Sequence, residues 1–103
     1  MPSIDIPQER VTEFCQRWKV AEFALFGSVL REDFHPDSDV DVLVTFAPDS
    51  AWTLFDHVEM QDELGLLFGR KVDLVSRRGL ERSQNYRRRQ AILESARPIY
   101  VAS

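Results

Sequence analysis

The chain has 103 residues, a length that suits one compact domain with one hydrophobic core, so we expect a single domain over residues 1–103. It carries 13 Lys and Arg residues against 17 Asp and Glu residues, and this acidic balance argues against direct nucleic-acid binding. Its single cysteine, Cys15, excludes an internal disulfide and fits a cytoplasmic compartment, and no apolar run is long enough for a membrane span.

Residues 7–18 predict a first helix. Pro7 suits the first turn of a helix, where its missing N–H is not needed. Four apolar side chains then recur at helical spacing: Val11, Phe14, Cys15 and Trp18. We expect these four side chains to cover the core, with Cys15 as a packing residue.

The next segment predicts a strand that ends in a Gly-Ser turn. Glu22 to Phe26 is short, apolar and aromatic, which is typical of a buried strand. Gly27 tolerates the backbone angles of a tight turn, and Ser28 can cap a short helix that continues through Arg31. The free N–H groups at such a helix start attract phosphate, and the Ser28 hydroxyl and the Arg31 guanidinium add hydrogen bonds. These residues therefore predict a phosphate-binding turn.

A second strand, from Asp39 to Phe46, begins with a pair of carboxylates. It follows a loop of turn-forming residues that ends at Ser38. Alternate side chains of a strand share a face, so the carboxylates of Asp39 and Asp41 are expected on one face about 7 Å apart. Two such carboxylates at the end of an apolar strand repel each other, and Mg²⁺ prefers oxygen ligands of this kind together with substrate phosphates. The pair predicts a divalent-metal site, where two ions can serve one in-line displacement.

A third carboxylate lies in another β-rich run, from Lys71 to Ser76. Asp73 stands there between Val72 and Leu74, and a charged residue inside a buried strand is rare without a partner. If this strand lies beside the Asp39–Phe46 strand, Asp73 can join the metal site or accept a proton from an attacking hydroxyl.

The remaining segments predict scaffold elements. Thr53 and Asp56 resemble a capping box before a helix over 54–68. That helix has a less regular apolar face, which comprises Phe55, Val58, Leu64 and Leu67. Residues 80–96 predict one or two helices with Ile92, Leu93 and Ala96 in the core, and residues 99–101 predict an edge strand. The alternation of helices and strands predicts an α/β or α+β fold, a small mixed β-sheet flanked by helices and covered mainly on one face.

The charge is distributed unevenly along the chain. Residues 77–103 hold 7 Arg and 2 Glu, whereas residues 1–76 hold 6 Lys or Arg and 15 Asp or Glu. Three interpretations of the basic end stay open: a solvated helix, a surface for an acidic partner, and a screen for a bound triphosphate.

From Phe23 to Ser76, the segments LFGSVLRE, SDVDVLV and GRKVDLVS resemble the nucleotidyltransferase superfamily related to DNA polymerase beta, and within it the minimal nucleotidyltransferase (MNT) family. The resemblance implies that Gly27, Ser28, Arg31 and Ser38 bind the nucleotide. It also implies that Asp39, Asp41 and Asp73 are the catalytic residues and hold Mg²⁺, with two ions expected. Glu32 stands where the family commonly has Gly, directly after Arg31, and its longer side chain is expected to leave less room for the triphosphate at this turn.

The resemblance also implies a biological role. Members of the MNT family often act as antitoxins paired with a HEPN-domain RNase toxin, so AMP transfer from ATP to a tyrosine of such a toxin is expected, within a hetero-oligomer. A single domain offers little acceptor surface of its own, which favours a protein acceptor. Two alternatives stay open: an antitoxin that neutralises its toxin by contact alone, and a nucleotidyltransferase for a small-molecule acceptor.

Overall fold

Helices and strands are mixed along the described part of the chain, but they do not alternate strictly as the sequence predicts, because two strands and later two helices follow each other. The computed structural model describes residues 6–27 and 39–102. The helices are α1 (Gln8–Arg17), α2 (Leu54–Phe68), α3 (Arg77–Glu81) and α4 (Tyr86–Ser95), and the strands are β1 (Val20–Phe26), β2 (Val40–Phe46), β3 (Val72–Ser76) and β4 (Arg97–Val101). None of the helices described is both long and apolar enough to cross a membrane.

The four strands form one mixed sheet in the order β3-β2-β1-β4. Strand β1 runs antiparallel to both β2 and β4, whereas β2 and β3 are parallel. The predicted edge strand at the end of the chain is confirmed, although it begins at Arg97 rather than at residue 99. The sheet therefore places the strands that carry Asp41 and Asp73 side by side.

Both faces of the sheet carry buried apolar side chains, so the prediction of a sheet covered mainly on one face needs a correction. The larger cluster joins the β2 side chains Val42 and Val44 to helices α1 and α2. The smaller cluster lies on the other face, where Leu80 of α3 and Ile92 of α4 pack against Leu43. Of the one or two helices predicted over residues 80–96, the structure has two, α3 and α4, and α3 starts earlier than predicted, at Arg77, directly after β3.

Helix α2 begins with the predicted capping box. The Asp56 N–H donates to Thr53 Oγ1 at 3.3 Å, and the Thr53 N–H donates to Asp56 Oδ2 at 2.8 Å. The helix ends at Gly69, whose φ of 70° places it in the left-handed region.

The core-facing side of α2 differs in part from the prediction. Met60 and Leu64 are buried against the sheet, with Leu67 packed beside them. Phe55 and Val58 were predicted on the apolar face, but they lie on the opposite side of the helix and are 87% and 51% exposed. The residues that pack inward are spaced by four and three positions, and Phe55 and Val58 fall outside that stripe.

Candidate functional site

The parallel pairing of β2 and β3 lines up the predicted carboxylates. Asp41 is the register partner of Asp73, so their side chains leave the same face of the sheet. Asp39 directly precedes β2 and stands two positions before Asp41, the spacing that keeps side chains on one face of an extended chain. That face is the one that carries Leu43 and the smaller apolar cluster. The three carboxylates therefore start from one end of one sheet face.

Gly27 lies directly beside this carboxylate row. Phe26, the last residue of β1, is the antiparallel register partner of Asp41, and Gly27 follows it with a φ of +72°. A Cβ built on Gly27 would collide with Oδ2 of Asp41. Because Gly27 has no side chain, the end of β1 and the Asp41 carboxylate can approach this closely.

Three of the predicted nucleotide-binding residues, Ser28, Arg31 and Ser38, lie outside the described residues, as does Glu32. The described part of the predicted nucleotide site is therefore Gly27 and the carboxylates that flank it.

The chemistry of these side chains fits a hard divalent cation, since carboxylate oxygens are the ligands that Mg²⁺ prefers. Asp39 and Asp41 are half-buried, and Asp73 is exposed. Within residues 6–27 and 39–102, no three His, Cys, Asp or Glu side chains are gathered into a complete metal-binding cluster. The backbone alignment supports a metal site, and the metal itself stays a prediction.

Gln61 is a residue of this region that the sequence did not single out. Its Oε1 accepts a hydrogen bond from the Leu74 N–H at 3.1 Å, and Leu74 follows Asp73 on the edge strand β3. This bond occupies an N–H group of the edge strand and ties β3 to α2. In the sequence, Gln61 is only a polar residue that follows the apolar Met60, and this pattern is too common to predict the hydrogen bond to β3.

A cavity of about 600 Å³ lies at the far end of the same strands, and it is not the predicted site. Its lining includes Thr45 and Phe46 from the end of β2, together with Ser76, the last residue of β3, and Arg77, the first residue of α3. None of the three carboxylates lines this cavity, since they stand at the opposite ends of β2 and β3.

The arginines of α4 divide into two groups. Arg89 donates to the Glu81 carbonyl oxygen at 3.2 Å and lies over the Tyr86 ring at 5.3 Å, so it holds α4 in place. Arg87 and Arg88 are exposed. Arg89 therefore has a structural role, whereas the guanidinium groups of Arg87 and Arg88 are exposed to solvent or to a partner.

Cys15 is a core residue, as predicted. It is fully buried in the larger apolar cluster, and burial raises the pKa of its thiol to about 12. A thiol with such a pKa stays protonated at neutral pH and is a poor nucleophile.

The chain is similar to known nucleotidyltransferases. The profile of the nucleotidyltransferase domain family matches residues 8–99. Protein adenylyltransferase MntA of Thermococcus cleftensis is 38% identical over 69 residues, which cover 67% of this chain and 68% of that protein.

Two solved structures share the fold. A chain described as a minimal nucleotidyltransferase superposes with a TM-score of 0.68 at 37% identity, covering 89% of this chain and 88% of that one. The complex of a tri-AMPylated Shewanella oneidensis HEPN toxin with its MNT antitoxin matches with a TM-score of 0.65 at 18% identity, covering 92% of this chain and 70% of the other chain. At that identity the second match supports the fold alone.

Proposed function

Because this chain belongs to the nucleotidyltransferase domain family, we propose that it transfers AMP from ATP to a tyrosine hydroxyl of a HEPN-domain RNase toxin, in an Mg²⁺-dependent reaction, and so acts as the antitoxin. The observation that carries the proposal is the alignment of Asp41 opposite Asp73, with Gly27 directly beside Asp41. The relative from Thermococcus cleftensis is named a protein adenylyltransferase, and one structural neighbour is a HEPN toxin carrying AMP groups in complex with an MNT antitoxin.

In the proposed site, Asp39, Asp41 and Asp73 would hold Mg²⁺, which supplies charge neutralisation for the triphosphate and for the oxygens that attack and leave. We propose that Gly27, Ser28, Arg31 and Ser38 bind the triphosphate. The absence of a side chain at Gly27 leaves space for the Asp41 carboxylate beside the bound phosphates.

The transfer itself is an in-line displacement. The oxygen of the acceptor hydroxyl forms a bond to the α-phosphorus of ATP, and the bond from that phosphorus to the oxygen bridging to the β-phosphate breaks. Pyrophosphate leaves with the electron pair of the broken bond. The acceptor proton passes to a carboxylate, for which we assign Asp73.

The position of Asp73 suits a large acceptor. It is exposed and lies on the edge strand β3, so a tyrosine presented by another protein can approach it from outside the sheet. An exposed edge of this kind suits a protein acceptor, which brings its own surface, better than a small molecule, which needs an enclosing pocket.

The test is AMP transfer to a HEPN-domain protein from the same genome. The two proteins are incubated with Mg²⁺ and ATP, and the intact mass of the HEPN protein is followed. We expect a mass gain in AMP units with the wild-type chain and none with the Asp39→Asn/Asp41→Asn variant. Asp49→Asn is the matched control, since Asp49 is an exposed carboxylate that pairs with Lys19 at 3.6 Å. A double Asn variant that still neutralises the toxin would favour an antitoxin that works by contact alone.

A further inference from the structure

Each edge of the sheet is tied to a neighbouring helix by a glutamine side chain. At one edge, Gln61 Oε1 of α2 accepts a hydrogen bond from the Leu74 N–H of β3 at 3.1 Å. At the other edge, Gln8 Nε2 of α1 donates to the Ile99 carbonyl oxygen of β4 at 2.8 Å. An edge strand has unpaired N–H and C=O groups on its outer side, and each bond satisfies one of them. Of these two edge strands, only β3 carries a residue of the proposed site.

The bond from Gln61 acts on the peptide unit that joins Asp73 to Leu74. The N–H group of Leu74 belongs to that unit, which also contains the Cα atom of Asp73. Because a peptide unit is planar, a bond that fixes the direction of its N–H group also fixes the plane in which the Asp73 Cα lies. The Asp73 side chain leaves β3 on the face opposite to Leu74. Gln61 therefore constrains the backbone that carries the Asp73 carboxylate, although α2 covers the other side of the sheet.

The other contacts of β3 leave room for such a constraint. The strand has only five residues and pairs with a neighbouring strand on one side, through β2. Leu74 belongs to the same buried cluster as Met60 and Leu64 of α2, so apolar packing also holds β3 against the helix. Apolar packing is non-directional, whereas a hydrogen bond depends on both distance and angle. The Gln61 bond adds a directional contact on the outer side of β3.

We propose that Gln61 is a positioning residue for the transfer, which holds the Asp73–Leu74 peptide unit so that the Asp73 carboxylate stands opposite Asp41. This inference rests on the proposed function, in which Asp73 binds metal and accepts the proton. Gln61 lies on the α2 side of the sheet, whereas the carboxylates leave the other face, so it acts through Asp73 alone. A small displacement of a catalytic group lowers the rate strongly, and loss of the Gln61 bond should therefore reduce kcat.

Protection of the sheet edge is the alternative role for this bond. In that case Gln61 only satisfies an N–H group, as Gln8 satisfies a carbonyl oxygen at the opposite edge. Loss of either bond would then lower the stability of the fold and leave the chemistry unchanged. Gln8→Met is the matched control for Gln61→Met, because it removes a bond of the same kind from an edge strand that carries none of the three carboxylates.

The test compares Gln61→Met, Gln61→Glu and Gln8→Met with the wild type. Met has nearly the length and helix propensity of Gln but offers no oxygen, whereas Glu keeps an acceptor for the Leu74 N–H. AMP transfer to a HEPN-domain protein from the same genome is measured over a range of HEPN-protein concentrations. We expect kcat to fall about tenfold in Gln61→Met with an unchanged KM for the HEPN protein, and Gln61→Glu and Gln8→Met to stay near the wild-type kcat. Both Met variants should melt at most about 4 to 8 °C lower.

Two further measurements do not depend on transfer. Amide hydrogen exchange at Leu74 should be faster in Gln61→Met than in the wild type and protected again in Gln61→Glu, which reports the bond itself. Calorimetry of a non-hydrolysable ATP analogue, with Mg²⁺ and with a chelator, reports the carboxylate face. We expect Gln61→Met to lose about threefold of the affinity gained from Mg²⁺, because Asp73 is a proposed metal ligand.

Three results would overturn the proposal. The first is a Gln61→Met variant that keeps both the wild-type kcat and the full gain from Mg²⁺. The second is a Gln8→Met variant that loses as much kcat as Gln61→Met, which would indicate general destabilisation. The third is a Gln61→Glu variant as slow as Gln61→Met, which would show that the acceptor oxygen has no role.

Failure of the proposed function gives a different pattern. A wild-type chain that binds the Mg²⁺–nucleotide complex but transfers no AMP would remove the proposed function alone. In that case a reduced gain from Mg²⁺ in Gln61→Met would support the positioning role of Gln61, and a full gain would overturn it. A wild-type chain that binds no Mg²⁺–nucleotide complex would overturn both.

Discussion

Gly27, which directly follows β1, lies so close to Asp41 of the neighbouring strand β2 that a single added carbon on Gly27 would overlap the Asp41 carboxylate. Gly27 also has a φ of +72°, which L-residues with a side chain rarely adopt. These two constraints would affect a substituted residue differently. The positive φ would lower the stability of the fold, whereas the added Cβ would displace the Asp41 carboxylate, a proposed metal ligand.

Gly27→Ala separates these two effects when it is compared with Gly69→Ala. Gly69 has nearly the same φ, +70°, but a Cβ there meets no atom within 4 Å. We expect both variants to lose about 1 to 2 kcal/mol of unfolding free energy from the strained backbone. Only Gly27→Ala should also lose AMP transfer, by about tenfold or more, because Asp41 must move. Thermal melts and initial rates of transfer measure the two effects. Equal transfer rates for the two variants would show that the close approach of Gly27 has no role.

Asp73→Asn tests the proton acceptor. Asp73 is exposed, so its replacement should leave the melting temperature unchanged. Loss of a general base typically lowers the rate about 100-fold, and we expect that loss in kcat. Asp49→Asn, which changes another exposed carboxylate, should keep the wild-type rate. A variant with a normal kcat would remove Asp73 from the proton transfer.

Thr53→Ala should destabilise the fold without affecting the site. Thr53 accepts the Asp56 N–H at the start of α2, and an Ala there leaves that N–H without its protein partner. Loss of such a cap costs about 1 kcal/mol, which chemical denaturation can measure. The initial rate of AMP transfer below the melting transition should match the wild type, since the cap is remote from the carboxylates. Unchanged stability would mean that water replaces the hydroxyl at no cost.

The raised pKa of the buried Cys15 thiol should lower the stability of the fold at alkaline pH. Burial raises the pKa of its thiol from 9.0 to about 12, so the folded state keeps a proton that the unfolded state releases. The stability linked to this thiol is fully present below about pH 9 and is lost as the pH rises from about 9 towards 12. We expect the unfolding free energy of the wild type to fall more steeply over this range than that of Cys15→Ala. Denaturant midpoints at several pH values measure both slopes, and parallel slopes would contradict the assignment.

Much of the fold could be predicted from local patterns. The inward face of α1 follows from the spacing of Val11, Phe14 and Cys15, and the start of α2 follows from the capping box at Thr53 and Asp56. Both features depend on residues within a few positions of one another, so the sequence alone contains the whole signal.

The errors have a different origin. Phe55 was predicted on the same apolar face of α2 as Leu64, yet it is exposed on the side of the helix that faces away from the sheet. Helix α2 has apolar residues on both sides, so periodicity does not decide which side faces the sheet. That choice is made by packing against β2 and β3, and the apolar pattern of α2 itself does not contain this information.

The candidate site was predictable in part for the same reason. The spacing of Asp39 and Asp41 places two carboxylates on one face, which is a local argument. The position of Asp73 opposite Asp41 depends on the pairing of β2 and β3. The sequence did not predict this pairing, so the role of Asp73 depended on assuming it. The overlap between Gly27 and Asp41 was not predictable, since it arises from the antiparallel register of β1 and β2.

The central claim, that the face carrying Asp39, Asp41 and Asp73 binds a metal–nucleotide complex, can be tested without any partner protein. Calorimetry would measure the affinity of a non-hydrolysable ATP analogue with Mg²⁺ and with a chelator, for the wild type, Asp39→Asn/Asp41→Asn and Asp49→Asn. We predict that Mg²⁺ tightens binding about tenfold or more in the wild type and in Asp49→Asn, and that the double Asn variant loses this gain. An affinity that does not depend on Mg²⁺, or a double Asn variant that keeps the full gain, would contradict the account.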